Sequence, residues 1–150
     1  MPRTDFTIST PDGDAAATLH TPDGDGPWPG VLLYPDAGGV RTAIHDMAAH
    51  LASLGYAVLL PDVYHRHGDW APFDFATVFS DQPERARLMG MVRSLTPEFV
   101  AVDAEAWVTA LLERPEVGGR AVGTTGYCMG GVMSLRTAAT QPERVAAAAS

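Results

Sequence analysis

The sequence predicts an α/β domain: a mostly parallel, doubly wound sheet with an antiparallel edge at its N-terminus. Three observations carry that reading. Short apolar runs at Val31-Leu32-Leu33-Tyr34 and at Tyr56 to Leu60 are bounded by Pro or Gly, which suits strands buried on both faces. The stretches that follow such runs show apolar residues at helical spacing. Strands and helices then alternate along the chain, the pattern of parallel strands joined by crossovers.

In chain order, Asp5 to Ser9 alternates Phe6 and Ile8 with polar residues and reads as a strand. Pro11-Asp12-Gly13-Asp14 is a turn, and Ala15 to His20 runs back beside it as the edge hairpin. Thr21 to Pro29, rich in Pro, Gly and Asp, reads as loop. After the Val31–Tyr34 strand, Pro35 to Gly39 breaks the chain. Thr42 to Leu54 is a helix with Ile44, Met47, Ala48, Leu51 and Leu54 along one stripe, and Gly55 stands where a C-terminal cap belongs. Asp62 to Ser80 has no clear period and holds Tyr64, His65, His67, Trp70, Phe73 and Phe75, so it reads as a long loop. Two helices follow, Asp81 to Ser94 and Thr96 to about Glu113, each with Pro near its start. Arg120 to Thr125 is a strand, Gly126 to Gly131 a sharp turn, Val132 to Thr140 a helix, and Arg144 to Ala149 the start of another strand.

Composition narrows the function classes. The 150 residues are 46% hydrophobic and 19% charged, enough apolar material for one packed domain spanning residues 1–150. The net charge is −8, and all ten basic residues are Arg with no basic stripe. That excludes a phosphate-backbone partner such as nucleic acid. No apolar run approaches the ~20 residues that cross a bilayer, so no membrane partner is expected. The N-terminus lacks the apolar stretch of a secretory signal, which makes the cytoplasm the expected address. A single Cys rules out an intramolecular disulfide and a thiolate-rich metal site. No cofactor is called for, and oligomeric state is not encoded in any visible pattern.

The stretch with chemical content is Gly126-Tyr127-Cys128-Met129-Gly130-Gly131. It follows a strand, precedes a helix, and matches the nucleophile-elbow pattern with Cys in place of Ser. So tight a bend needs small residues two positions either side of the nucleophile, whose backbone is forced into strained angles that push the side chain outward. The helix N-terminus beyond it offers free N–H groups and a positive dipole end, which favour a thiolate. The Met129 N–H would be one oxyanion donor. The alternative is a core Cys beside a glycine-rich turn. A phosphate-cradling loop is excluded, because the second glycine of the dinucleotide pattern is missing and no Gly-Lys-Ser/Thr follows.

A second candidate is Pro35-Asp36-Ala37-Gly38-Gly39, at the carboxyl edge of the first buried strand, where doubly wound sheets bind ligands. The Ala37 N–H would be the second oxyanion donor. Asp36 either points at Cys128, holding the thiol protonated or taking its proton, or caps the next helix or closes an Asx turn.

Four segments together resemble the dienelactone hydrolase family of α/β-hydrolases: Tyr34 to Val40, Gly55 to Tyr64, Glu84-Arg85-Ala86-Arg87, and the Cys128 elbow. The resemblance covers nearly all of this chain and the first part of the family's usual domain. It implies an α/β-hydrolase fold and hydrolysis of a small ester or lactone through an acyl-thiol intermediate, with Cys128 at the nucleophile position. The family's proton-accepting Glu is replaced here by the shorter Asp36. Arg87 matches the Arg that binds the substrate carboxylate, although an Arg on a helix face is as readily explained by solvent or an ion pair. The family's triad acid and His follow further strands, and none of the five His here stands at a matching position. The expectation is therefore that the domain is incomplete at its C-terminus: a fragment, or a chain completed by another. A thioesterase or acyltransferase on the same scaffold, and a non-catalytic α/β module, are the rival readings.

Overall fold

The computed structural model describes residues 1–150. Its strands are β1 (Arg3–Thr10), β2 (Gly13–His20), β3 (Trp28–Tyr34), β4 (Ala57–Pro61), β5 (Val117–Gly126) and β6 (Val145–Ala148). Its helices are α1 (Thr42–Ser53), α2 (Gln82–Ser94), α3 (Pro97–Leu112) and α4 (Met129–Thr140). One six-stranded sheet runs in the order β1-β2-β4-β3-β5-β6. β3 pairs in parallel with β4 and with β5, β5 pairs in parallel with β6, and β1 and β2 run antiparallel at the edge. The expected mostly parallel sheet with an antiparallel N-terminal edge is therefore present. No helix is long and apolar enough to cross a membrane.

The apolar runs are strands because both faces of the sheet are covered. Leu33, Val58 and Leu60 pack with Ile44, Ala48 and Ala52 of α1. Leu32, Tyr34 and Leu59 point the other way, into the larger core with Leu88 of α2, Trp107 and Leu111 of α3 and Met133 of α4. Period-two alternation thus feeds two different cores from one continuous hydrophobic run. The helix starts follow local chemistry. The Asp81 carboxylate accepts the Glu84 N–H, and the Thr96 hydroxyl accepts the Phe99 N–H, each just ahead of or beside a first-turn Pro. Gly55, at φ +100, ends α1 in the left-handed region, as its position predicts.

Several boundaries move; among them, α4 begins at Met129, so that residues 129 to 131, read as part of the sharp turn, form its first turn. β3 begins at Trp28, inside the stretch read as loop, because pairing with Val117 and Gly118 of β5 overrides the local Pro and Gly signals. β5 correspondingly begins at Val117. The segment read as an aperiodic loop contains a 3-10 turn at His65–His67, whose helical period is too short to show in a sequence window.

α4 is tied to the sheet by buried polar bonds. The Tyr34 hydroxyl meets Thr137 Oγ1 at 2.6 Å, and Ser134 Oγ lies 2.9 Å from both Thr124 Oγ1 and the Ala149 carbonyl oxygen, between which its one proton is shared. These bonds fix the helix that starts at the elbow against the strands on either side of it.

Candidate active site

Cys128 sits between β5 and α4 with φ 57° and ψ −122°, and no other non-glycine residue has positive φ. That conformation costs of order 1–3 kcal/mol and persists only where the surroundings force it. Those surroundings are backbone. A Cβ on Gly126 would lie 2.5 Å from the Gly130 carbonyl carbon, and a Cβ on Gly130 would lie 2.5 Å from the Tyr34 carbonyl oxygen and 2.7 Å from that of Pro35. The two glycines are therefore required by contact between β5, α4 and the end of β3. The thiol is exposed, and no hydrogen bond reaches its sulfur. The first-turn N–H groups at the head of α4 lie directly after it.

The end of β3 comes within reach of the elbow through these same contacts. Residues 36 to 39 form a closed turn. Gly39 N–H donates to the Asp36 carbonyl and Gly38 N–H to Asp36 Oδ1, both at 2.9 Å. Arg41 binds the same carboxylate with both guanidinium ends, at 2.6 and 2.9 Å. Burial pushes the Asp36 carboxyl up, but the hydrogen bonds from Arg41 and Gly38 and the Arg41 charge outweigh it and hold it below the ordinary carboxylate range. Of the two orientations open to Asp36, the structure shows the Asx turn, with an ion pair added; no hydrogen bond joins it to Cys128. The Ala37 N–H donates to no backbone acceptor among the turn and loop bonds.

Above this turn lies the segment from Asp62 to Phe79. Asp62 Oδ1 accepts the Tyr64 N–H at 2.9 Å, and the Asp62 carboxylate also takes the Trp70 indole N–H. Tyr64 is fully buried, edge-on to Trp70 at 5.6 Å between centroids. Trp70 and Tyr64 fill the space where a Gly39 side chain would be, and Phe75 does the same at Gly38 while stacking on the Arg41 guanidinium at 4.5 Å. The aromatic segment is thus the roof of the Asp36 turn. It is anchored from below: Arg66 binds both Asp103 oxygens at 2.7 and 2.8 Å and Asp12 at 2.6 Å, and His65 Nε2 lies 3.3 Å from Asp103.

Arg87 is placed differently. Its guanidinium is paired with Glu84 at 2.8 and 2.9 Å, donates to the Ala71 carbonyl, and covers the Phe73 ring at 3.8 Å. It lines a cavity of about 370 Å³ with His67, Trp70 and Met91; Cys128 is not part of that wall. A second cavity, about 340 Å³, opens beside Tyr127 between His50, Met47 and Leu33, on the α1 side of the elbow. No three His, Cys, Asp or Glu side chains converge as a metal site would require.

Arg41, Tyr64, Trp70 and Phe75 are the site residues that motif reading passed over or left unassigned. Only the glycine pair Gly38-Gly39 hints at them, by demanding something bulky close to the backbone.

The dienelactone hydrolase family model matches residues 15–150. A carboxymethylenebutenolidase from Pseudomonas sp. (strain P51) is 35% identical over 111 residues, which are 74% of this chain and 44% of that protein. A carboxymethylenebutenolidase from Rhodococcus opacus is 30% identical over 138 residues, 92% of this chain and 49% of that protein. The chain therefore spans about half the length of the curated relatives it matches. Among solved structures, m3DLH superposes with a TM-score of 0.75 at 26% identity, covering 91% of this chain and 53% of that one. A dienelactone hydrolase-like promiscuous phosphotriesterase from metagenomic libraries superposes with a TM-score of 0.66 at 30% identity, covering 93% and 55%. The fold is that of the α/β-hydrolases.

Proposed function

Since this chain belongs to the dienelactone hydrolase family, we propose that it supplies the nucleophile and oxyanion site of a hydrolase acting on a small carboxylic ester or lactone. The observation that carries the reading is the exposed thiol of Cys128 on the one strained non-glycine residue, at a bend that backbone contacts enforce.

The thiolate of Cys128 attacks the ester carbonyl carbon, and the carbonyl electron pair moves onto oxygen. Ala37 and Met129 N–H groups hold that oxyanion. Collapse re-forms the carbonyl and breaks the C–O bond to the alkoxide, which takes up the proton that the thiol gave to its base. Water then attacks the thioester and returns the thiol. Asp36 is the carboxylate nearest in sequence to the oxyanion site. It would take the thiol proton only after its side chain leaves Arg41. The family resemblance assigns the His base and its orienting carboxylate to later strands; here His20, His65 and His67 bond His45, Asp103 and Ser94. Arg87 would hold an anionic group of the substrate in exchange for Glu84. The relatives' name, carboxymethylenebutenolidase, supports a lactone bearing such a group.

The test is acylation by p-nitrophenyl acetate in the whole protein, read as a p-nitrophenol burst and as one acetyl group on Cys128 by mass spectrometry. Cys128→Ala abolishes both, with turnover falling by about 10³-fold or more. Unchanged turnover in Cys128→Ala would refute the assignment.

A further inference from the structure

We propose that Tyr64 is a positioning residue of the oxyanion site: its hydroxyl holds the peptide after Ala37 so that the Ala37 N–H stays aimed out of the turn. The proposal rests on the acyl-enzyme reading above and extends it to a residue that touches neither substrate nor thiol.

The argument runs through the polar groups of the Asp36 turn. The peptide before Ala37 has its carbonyl, that of Asp36, bonded to Gly39 N–H at 2.9 Å. The peptide after Ala37 has its N–H, that of Gly38, bonded to Asp36 Oδ1 at 2.9 Å. Its carbonyl, that of Ala37, accepts the Tyr64 hydroxyl at 2.8 Å. Both planes flanking the Ala37 Cα are therefore pinned, and among the backbone N–H groups of residues 37 to 39 only that of Ala37 is left free. A free donor whose two neighbouring peptides cannot rotate is preorganised for a charge that develops in front of it. Of the three bonds to the two peptides flanking Ala37, that from Tyr64 is the one that comes from outside the turn.

The same hydroxyl lies 3.5 Å from Met129 Sδ, so the two residues whose N–H groups would hold the oxyanion meet at one buried phenol. Tyr64 is itself fixed. Its N–H is capped by Asp62, its ring edge meets Trp70, and its side chain has no exposure. Burial, reinforced by the negative charges of Asp36, Asp62 and Cys128, pushes the phenol's ionisation up, so it remains a proton donor throughout the working range of a thiol.

The experiment compares two reactions of Cys128 in the whole protein, wild type and Tyr64→Phe. Acetylation by p-nitrophenyl acetate forms an oxyanion; alkylation by iodoacetamide displaces iodide at a saturated carbon and forms none. In Tyr64→Phe, acetylation slows about tenfold or more with KM nearly unchanged, while alkylation keeps its wild-type rate and pH profile. Acetylation at the wild-type rate, or equal slowing of both reactions, overturns the proposal. Should Tyr64→Phe fail to fold, 3-fluorotyrosine at position 64 keeps the packing and alters the donor; acetylation then changes about twofold with alkylation constant, and equal rates overturn the proposal. If wild-type Cys128 never acetylates, the acyl-enzyme reading itself has failed, an outcome distinct from a Tyr64→Phe protein that acetylates normally.

Discussion

The bend at Cys128 and the turn at Asp36 end neighbouring strands of the same sheet, β5 and β3, yet opposite forces hold them. The bend is held by hard contact: glycine Cα atoms of β5 and α4 lie against main-chain carbonyls with no room for a methyl group. The turn is held by charge and aromatic cover, from Arg41, Phe75, Trp70 and Tyr64. Steric devices of the first kind are local and tolerate nothing larger. Devices of the second kind are distributed, so losing one member weakens them by a fraction, and they respond to pH.

The contrast sets an order of effects. Gly126→Ala or Gly130→Ala forces a methyl into backbone and costs about 4 kcal/mol or more, read as loss of soluble protein or a large fall in Tm. A mild effect there would show the bend to be compliant. Asp103→Ala removes the buried carboxylate that holds Arg66 and His65, leaves Arg66 with Asp12 alone and releases the support under the aromatic roof, at about 3 kcal/mol by chemical denaturation. Arg41→Met costs less, about 1 kcal/mol, because the Asp36 pair is only partly buried. Its Asp36 titration moves back toward the ordinary range.

The turn responds to pH through Asp36. Asp36 has its folded carboxyl pKa depressed below the ordinary value. Its contribution is therefore complete above the unfolded value, about 3.9, and is lost as pH falls through the folded one. Wild type should lose stability in acid more steeply than Asp36→Asn, and identical acid limbs would remove charge from the account of the turn. The smallest effect is at the bend itself. Cys128→Gly relieves positive φ that Cys128→Ala retains, so the Gly variant should be the more stable of the two by about 1 kcal/mol. The reverse order would mean that the bend stores no strain.

The same distinction explains what the sequence revealed. The elbow is written in residues 126 to 131, because its determinants are neighbours in the chain and glycine is the only residue that fits. The buried strands were legible for the same reason: alternation at Leu32/Leu33 and Leu59/Leu60 is a local record of two covered faces. The choice between the two orientations of Asp36 was not legible. Its partner Arg41 stands five residues on, but Phe75, which covers that guanidinium, is more than thirty residues away, and no short-range pattern marks the two as neighbours. Arg87 was legible in both its readings: the motif match offers an anion-binding cation, and the helix spacing offers an ion pair, which Glu84, three residues earlier on the same helix, supplies.

Arg66 has a consequence for kinetics. It bolts the β1–β2 hairpin tip, through Asp12 at a separation of 54 residues, to the middle of α3, through Asp103 at 37. A fastener spanning such distances can engage only once the segments it joins have met, so it should be absent at the folding barrier and present in the native state. Arg66→Met is accordingly expected to leave the refolding rate unchanged and to accelerate unfolding: the residue acts as a latch on a finished assembly and plays no part in raising it.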